Sequence, residues 1–217
     1  MQLHVLKVFV GDSGAGGNLL GVFLDGAAIT NRQDVAADLG YSETVFVEDA
    51  TSATVEIFTP AARLPFAGHP LVGTAWLLGH QGIPVDVLRP PAGEVPTWAA
   101  DGLRWIRGRA EWSPPFELRQ YDTPEQVDAL SPPASGLLDA WTWVEESAGT
   151  IRSRVFAPDH GNAEDEATGS AAVALVTHLG RPIEIHQGTG SVLHARPGPA
   201  GTAEVGGRVE LQEIRTY

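Results

Sequence analysis

Apolar positions along the 217 residues fall into short runs rather than one long periodic stretch. "LHVLKVFV" (3–10) is nearly continuous and predicts a buried strand; a glycine-rich turn, "GDSGAGGN", and a second strand at 19–24 follow it. "TNRQDVAADLG" predicts a helix that Thr30 caps, with Gln33 reaching back to it and Gly40 ending it. "ETVFVED" and "ATVEIFTP" predict two more strands, and "PTWAADGLRWIRG" a hairpin turning at Asp101-Gly102. Between them, "PFAGHPLVGTAWLLGH" (65–80) stands apart. Its helix, expected over 70–79, is apolar on every side and belongs inside a domain.

The same order restarts near residue 123. "TPEQVDAL" repeats the Thr-x-x-Gln start with Pro124 at the first helical position, "AWTWVEES" resembles "ETVFVEDA", and "RSRVFAP" resembles "TVEIFTP". "GSAAVALVTHLG" (169–180) then matches "GHPLVGTAWLLG" (68–79), "PIEI" matches "PVDV", and "GGRVEL" matches "RGRAEW". Six ordered matches at offsets between 93 and 101 residues predict an internal duplication. The expected fold is α+β, with two pseudo-symmetric lobes at residues 1–113 and 114–217. Each lobe is a strongly curved, mostly antiparallel sheet wrapped around a central apolar helix. The Pro-rich "EWSPPFELRQYDTPEQ" joins them, and the last strand is free to cross back to the first lobe.

Composition narrows the chemistry. The net charge is −13, and the 14 basic residues form no run, which argues against nucleic acid or an anionic membrane as partner. No apolar run approaches the ~18 residues of a membrane span, and the N-terminus lacks a signal-peptide layout; a cytoplasmic location is the default expectation. There are no cysteines, so disulfides, thiolate metal sites and thiol nucleophiles are all excluded. Lys7, the only lysine, lies in a strand with no glycine loop before it, which speaks against a P-loop and a pyridoxal-phosphate Schiff base. The histidines show no HxxxH or HExxH arrangement, and no metal is expected.

A helix that starts inside a domain leaves first-turn N–H groups in need of acceptors. Two such starts facing each other across a cleft form an anion site that would seat a carboxylate. Gly68 and Gly169 either let a ligand approach the backbone closely or simply permit tight helix starts. His69 is readable as a core histidine or as a site residue, and Ser170 as a site residue or an ordinary first-turn polar residue. Of Glu164, Asp165 and Glu166, dipole compensation accounts for two. Glu43 opens a strand, and its counterpart in the repeat is Ala140, so the acid is present on one side only. That asymmetry suggests a one-sided proton carrier, against the alternative of an exposed strand end.

"SETVFVED", "PFAGHPLVGTAW" and "EDEATGSAA", with "GNLLGVFLD" and "HQG", resemble the PhzF (phenazine-biosynthesis) family, which shares the diaminopimelate epimerase fold. The resemblance covers nearly the whole chain. It implies a two-lobed, cofactor-independent isomerase, usually a homodimer, acting on a small carboxylic acid. Glu43 matches the proton-shuttling acid, His69 and Asp165 match other catalytic side chains, and Gly68, Gly169 and Ser170 match substrate-binding positions. Leu19 and Glu166 stand where the family has proline, and "TGSVLHARPG" replaces a Gly-Arg-Pro-Ser stretch. A non-catalytic small-acid-binding protein is the alternative reading, and a purely structural dimer a third.

Overall fold

The chain folds into short strands and four α-helices, and the structure, a computed structural model, describes residues 1–217. In the first half, β1 (Gln2–Val10), β2 (Gly16–Phe23), α1 (Arg32–Leu39), β3 (Glu43–Asp49), β4 (Thr54–Phe58) and β5 (Arg63–Leu64) precede α2 (Gly68–His80). Then come β6 (Val87–Leu88), β7 (Val95–Ala100) and β8 (Leu103–Arg109). The second half runs β9 (Glu117–Gln120), α3 (Pro124–Asp128), β10 (Leu138–Glu145), β11 (Thr150–Ala157), β12 (Asn162–Asp165) and α4 (Gly169–Leu179). It ends with β13 (Ile183–Gln187), β14 (Ser191–Pro197) and β15 (Thr202–Thr216). The fold is α+β.

One hydrogen-bonded path runs β5-β4-β3-β2-β1-β15-β14-β13-β11-β10-β9. Most neighbours are antiparallel, while β2/β3, β9/β10 and β11/β13 are parallel. β15 is the seam of the sheet: residues 202–207 pair with β8 and 203–206 with β14, and residues 208–216 pair with β1. β1 therefore lies between two strands, with only Gln2 and Lys7 not fully buried, which explains its continuous apolar run.

The two apolar helices take the central places that their composition predicts. Residues 68–75 of α2 and 169–173 of α4 are all buried. Pro70 falls in the first turn, where its missing N–H breaks no intrahelical bond. A cluster of 34 buried apolar residues, from Leu6 to Val209, includes residues of both helices and both halves.

Turn chemistry follows the sequence in most places. Asp101 and Gly102 are both left-handed (φ 54° and 76°) and join β7 to β8. Thr123 caps α3, its Oγ1 accepting from the Gln126 N–H at 3.4 Å. The matching box at α1 does not form. Asn31, not Thr30, is the cap residue, and Gln33 donates instead to the carbonyls of Thr59 and Pro60, both at 3.0 Å. Those carbonyls follow β4, so a tertiary contact outbids the local one. "PVDV" (84–87) does not form a strand matching β13; only Val87 and Leu88 find a partner, in β7, and make up the short β6.

Strand register revises the alignment of the repeats. β3 and β10 each carry an irregularity, after Val47 and after Trp143. The turn that follows each has a left-handed residue, Ala53 (φ 55°) and Gly149 (φ 78°). Ala53 O accepts from Arg89 N as Gly149 O accepts from Glu184 N. Counting back from these points makes Asp139, not Ala140, the counterpart of Glu43. Both halves therefore open this strand with an inward carboxyl, and the one-sided acid read from sequence is corrected.

Candidate active site

α2 and α4 meet tip to tip. A Cβ built on Gly68 would lie 2.6 Å from the Gly169 carbonyl carbon, and one on Gly169 would lie 2.8 Å from both Gly68 Cα and His69 N. The side-chain space at each glycine is filled by the opposing backbone. Glycine here lets the two helix starts touch, and the closest backbone approach at these points is by the other helix. Neither cap residue, Ala67 or Thr168, makes a side-chain capping bond to its helix. Thr168 N is itself held by Gln187 Oε1 at 3.0 Å.

Beside the paired tips lies a cavity of about 40 Å³ whose walls include Ser42, Glu43, Asn162, Asp165, Thr168 and Ser170. Glu43 comes from the start of β3, Asp165 from the end of β12, and Ser170 from the first turn of α4. His69, the second residue of α2, is 2 % exposed, and its Nδ1 stands 2.8 Å from Glu43 Oε2. That contact is short but out of line for a hydrogen bond, and it leaves both Glu43 Oε2 and His69 Nε2 buried without a hydrogen-bond partner. A more open groove of about 530 Å³, lined by Asp12, Trp105, His194 and Arg196 among others, gathers none of the predicted site residues.

Asp165 is held from all sides. Its Oδ1 accepts from Asn18 Nδ2 (2.8 Å), Asn162 Nδ2 (3.0 Å) and Ser42 Oγ (3.1 Å), and its Oδ2 accepts from Thr168 Oγ1 (2.6 Å). Burial pushes its carboxyl up to about 6, and the neighbouring Glu43 adds to this; His69, Thr168 and Asn18 pull the other way. The flanking acids have different duties. Glu164 makes a bidentate pair with Arg154 (2.7 and 2.6 Å). Glu166 turns to the β13–β14 loop, where its carboxylate accepts from Thr189 N and from the hydroxyls of Thr189 and Ser191. Neither lies in the first turn of α4, so dipole compensation is not their principal role.

The five residues around Asp165 that sequence reading did not single out are Asn18, Ser42, Asn162, Thr168 and Gln187. Four of them lie within stretches that the family resemblance quotes: Asn18 in "GNLLGVFLD", Ser42 in "SETVFVED", Thr168 in "EDEATGSAA" and Gln187 in "HQG". The resemblance therefore marked the positions without giving their partners.

Comparisons of sequence and of fold set this chain beside known proteins. The PhzC-PhzF profile, phenazine biosynthesis-like protein, matches residues 6–116 and 119–197. The chain belongs to this family. A trans-2,3-dihydro-3-hydroxyanthranilate isomerase of Pseudomonas chlororaphis is 33% identical over 79% of this chain and 77% of its own length. The fold is shared with a PhzC/PhzF protein from Clostridium difficile (strain 630), at a TM-score of 0.81, 17% identity and coverage of 100% and 99% of the two chains. It is shared also with a hydroxyproline epimerase from Agrobacterium vitis, at 0.63, 14% identity and coverage of 99% and 91%. By its family the chain is an isomerase of PhzF type.

Proposed function

We propose that the protein moves a proton between carbons of a small carboxylic acid held beside the paired helix tips. The observation that carries this reading is the convergence of Glu43 and Asp165, from separated stretches of chain, on one small cavity, with His69 buried against Glu43 behind it. Glu43 takes and returns the proton, because its Oε2 is buried next to His69 yet has no hydrogen-bond partner. His69, its Nδ1 2.8 Å from Glu43 Oε2, packs against that carboxylate and limits the positions it can take. Asp165, locked by its four donors, supplies a fixed carboxyl across the cavity from Glu43. First-turn N–H groups of α2 and α4, with Ser170, receive the substrate carboxylate and the negative charge that builds up beside it. No cofactor is needed for such a transfer.

The cavity of about 40 Å³ has room for about one water molecule. Its walls therefore part to admit an acid. Those walls come from both halves of the chain, Glu43 and Thr59 from the first and Asp165 and Ser170 from the second. Two lobes divided near residues 113 and 114, opening about the seam strand, fit that requirement.

The test is deuterium uptake from solvent into a turned-over acid, beginning with trans-2,3-dihydro-3-hydroxyanthranilate, the compound in the relative's name. Exchange in Glu43→Gln is expected to fall by at least about a hundredfold, the usual worth of a positioned general base. Undiminished exchange would reject the role of Glu43. Saturable binding of the acid with no exchange in the wild-type protein would favour the acid-binding alternative instead.

A further inference from the structure

Asp139 is a buried carboxyl that the proposed reaction leaves unused. It is 1% exposed, and its Oδ1 accepts a 2.6 Å hydrogen bond from Ser153 Oγ. No ion pair accompanies it. Such a group is costly to bury, since a well-packed apolar residue needs no partner.

Strand register shows what it belongs to. Asp139 lies two residues before Trp141, which pairs with Ser153. Ser153 pairs with Gln187 in β13, and Gln187 with Ser191 in β14. Residues paired across strands, and residues two apart within one, share a sheet face. Asp139, Ser153, Gln187 and Ser191 therefore form one row across four strands, and each is at most 2% exposed. Ser153 and Gln187 are packed neighbours in the row, with no side-chain hydrogen bond between them, and Gln187 reaches the site. Gln187 accepts from Thr168 N, and its Nε2 donates to Asp165 O (2.8 Å) and Thr168 Oγ1 (2.9 Å). In the first half the position of Ser153 is held by Ile57, and Glu43 meets His69 directly.

We propose that Asp139, the second-half counterpart of Glu43, is a positioning residue: through Ser153 it fixes the row that seats Gln187, Thr168 and the Asp165 carboxyl. This rests on the reading of Asp165 as part of the active site. The second half has traded a direct acid–histidine contact for an indirect hold on an acid. The charged groups facing Asp165 are Glu43 and His69, while Glu164 and Glu166 are turned to Arg154 and Thr189.

The experiment compares Ser153→Ala, which cuts the row, with Asp139→Asn, which keeps an acceptor for Ser153. Carbon-13 side-chain NMR follows the titration of Asp165, and deuterium uptake is read with trans-2,3-dihydro-3-hydroxyanthranilate. Ser153→Ala is expected to move the Asp165 midpoint by about half a pH unit or more. It should also lower kcat for exchange about fivefold at unchanged KM, as loss of a partner in a buried polar network does. Asp139→Asn should keep the wild-type midpoint and rate. An Asp165 midpoint unmoved in Ser153→Ala, or moved as far in Asp139→Asn, overturns the assignment. The titration decides this whichever acid the enzyme turns over, whereas retained exchange in Glu43→Gln would strike the proposed function and leave the row standing.

Discussion

Asp139 and Asp165 are each buried and each pushed up to about 6, against 3.8 for the free side chain. Asp139 is raised by burial, and its serine donor only partly offsets this. Because both folded-state values lie above the unfolded ones, the folded protein binds more protons between about pH 4 and pH 6. Stability from these groups is fully present below pH 4 and is lost as pH rises through about 6. For Asp139 the difference between about 6 and 3.8 corresponds to about 3 kcal/mol. Asp139→Asn should therefore be more stable than wild type at pH 7.5 and lose that advantage near pH 4, as measured by urea unfolding at the two pH values. This residue also marks a limit of sequence reading. "DAWTW" contains the acid in plain view, but an irregularity one strand-length away decides which residue matches Glu43.

At the scale of elements, the contact of α2 with α4 is the feature on which the site depends. Both helices were legible as apolar segments with glycine at their tips, and the reason for glycine was not. Ligand approach and helix approach ask for the same missing side chain, and only the packed structure shows that backbone occupies the space. Gly68→Ala places a methyl group 2.6 to 2.7 Å from Gly169 backbone atoms, which have no side-chain freedom with which to yield. Overpacking of this kind costs about 1–3 kcal/mol. A lowered Tm, with weakened stabilisation by the substrate acid, is expected by differential scanning fluorimetry with and without that acid. The capping box at α1 teaches the same lesson in a smaller way, since Gln33 had two possible duties and the carbonyls of Thr59 and Pro60 claimed it.

At the scale of the whole molecule, the halves are joined by more than a linker. β15 belongs to the second half in sequence, yet it pairs along most of its length with β1 and β8 of the first. The buried cluster from Leu6 to Val209 is likewise common to both halves. Scanning calorimetry should therefore show one transition, with calorimetric and van't Hoff enthalpies that agree; two resolved transitions would mean that the lobes unfold independently. The sequence by itself determined the α+β class, the duplicated order of elements, the two apolar helices and the residues that carry the family motifs. Each of these depends on residue type and local spacing, and both are written along the chain. Tertiary structure alone decided that the glycine tips touch each other, that Asn18, Ser42, Asn162 and Thr168 converge on Asp165, and that Asp139 answers Glu43. These depend on strand register and on which surfaces bury one another, and a contact between residues a hundred positions apart leaves no local trace for a single sequence to show.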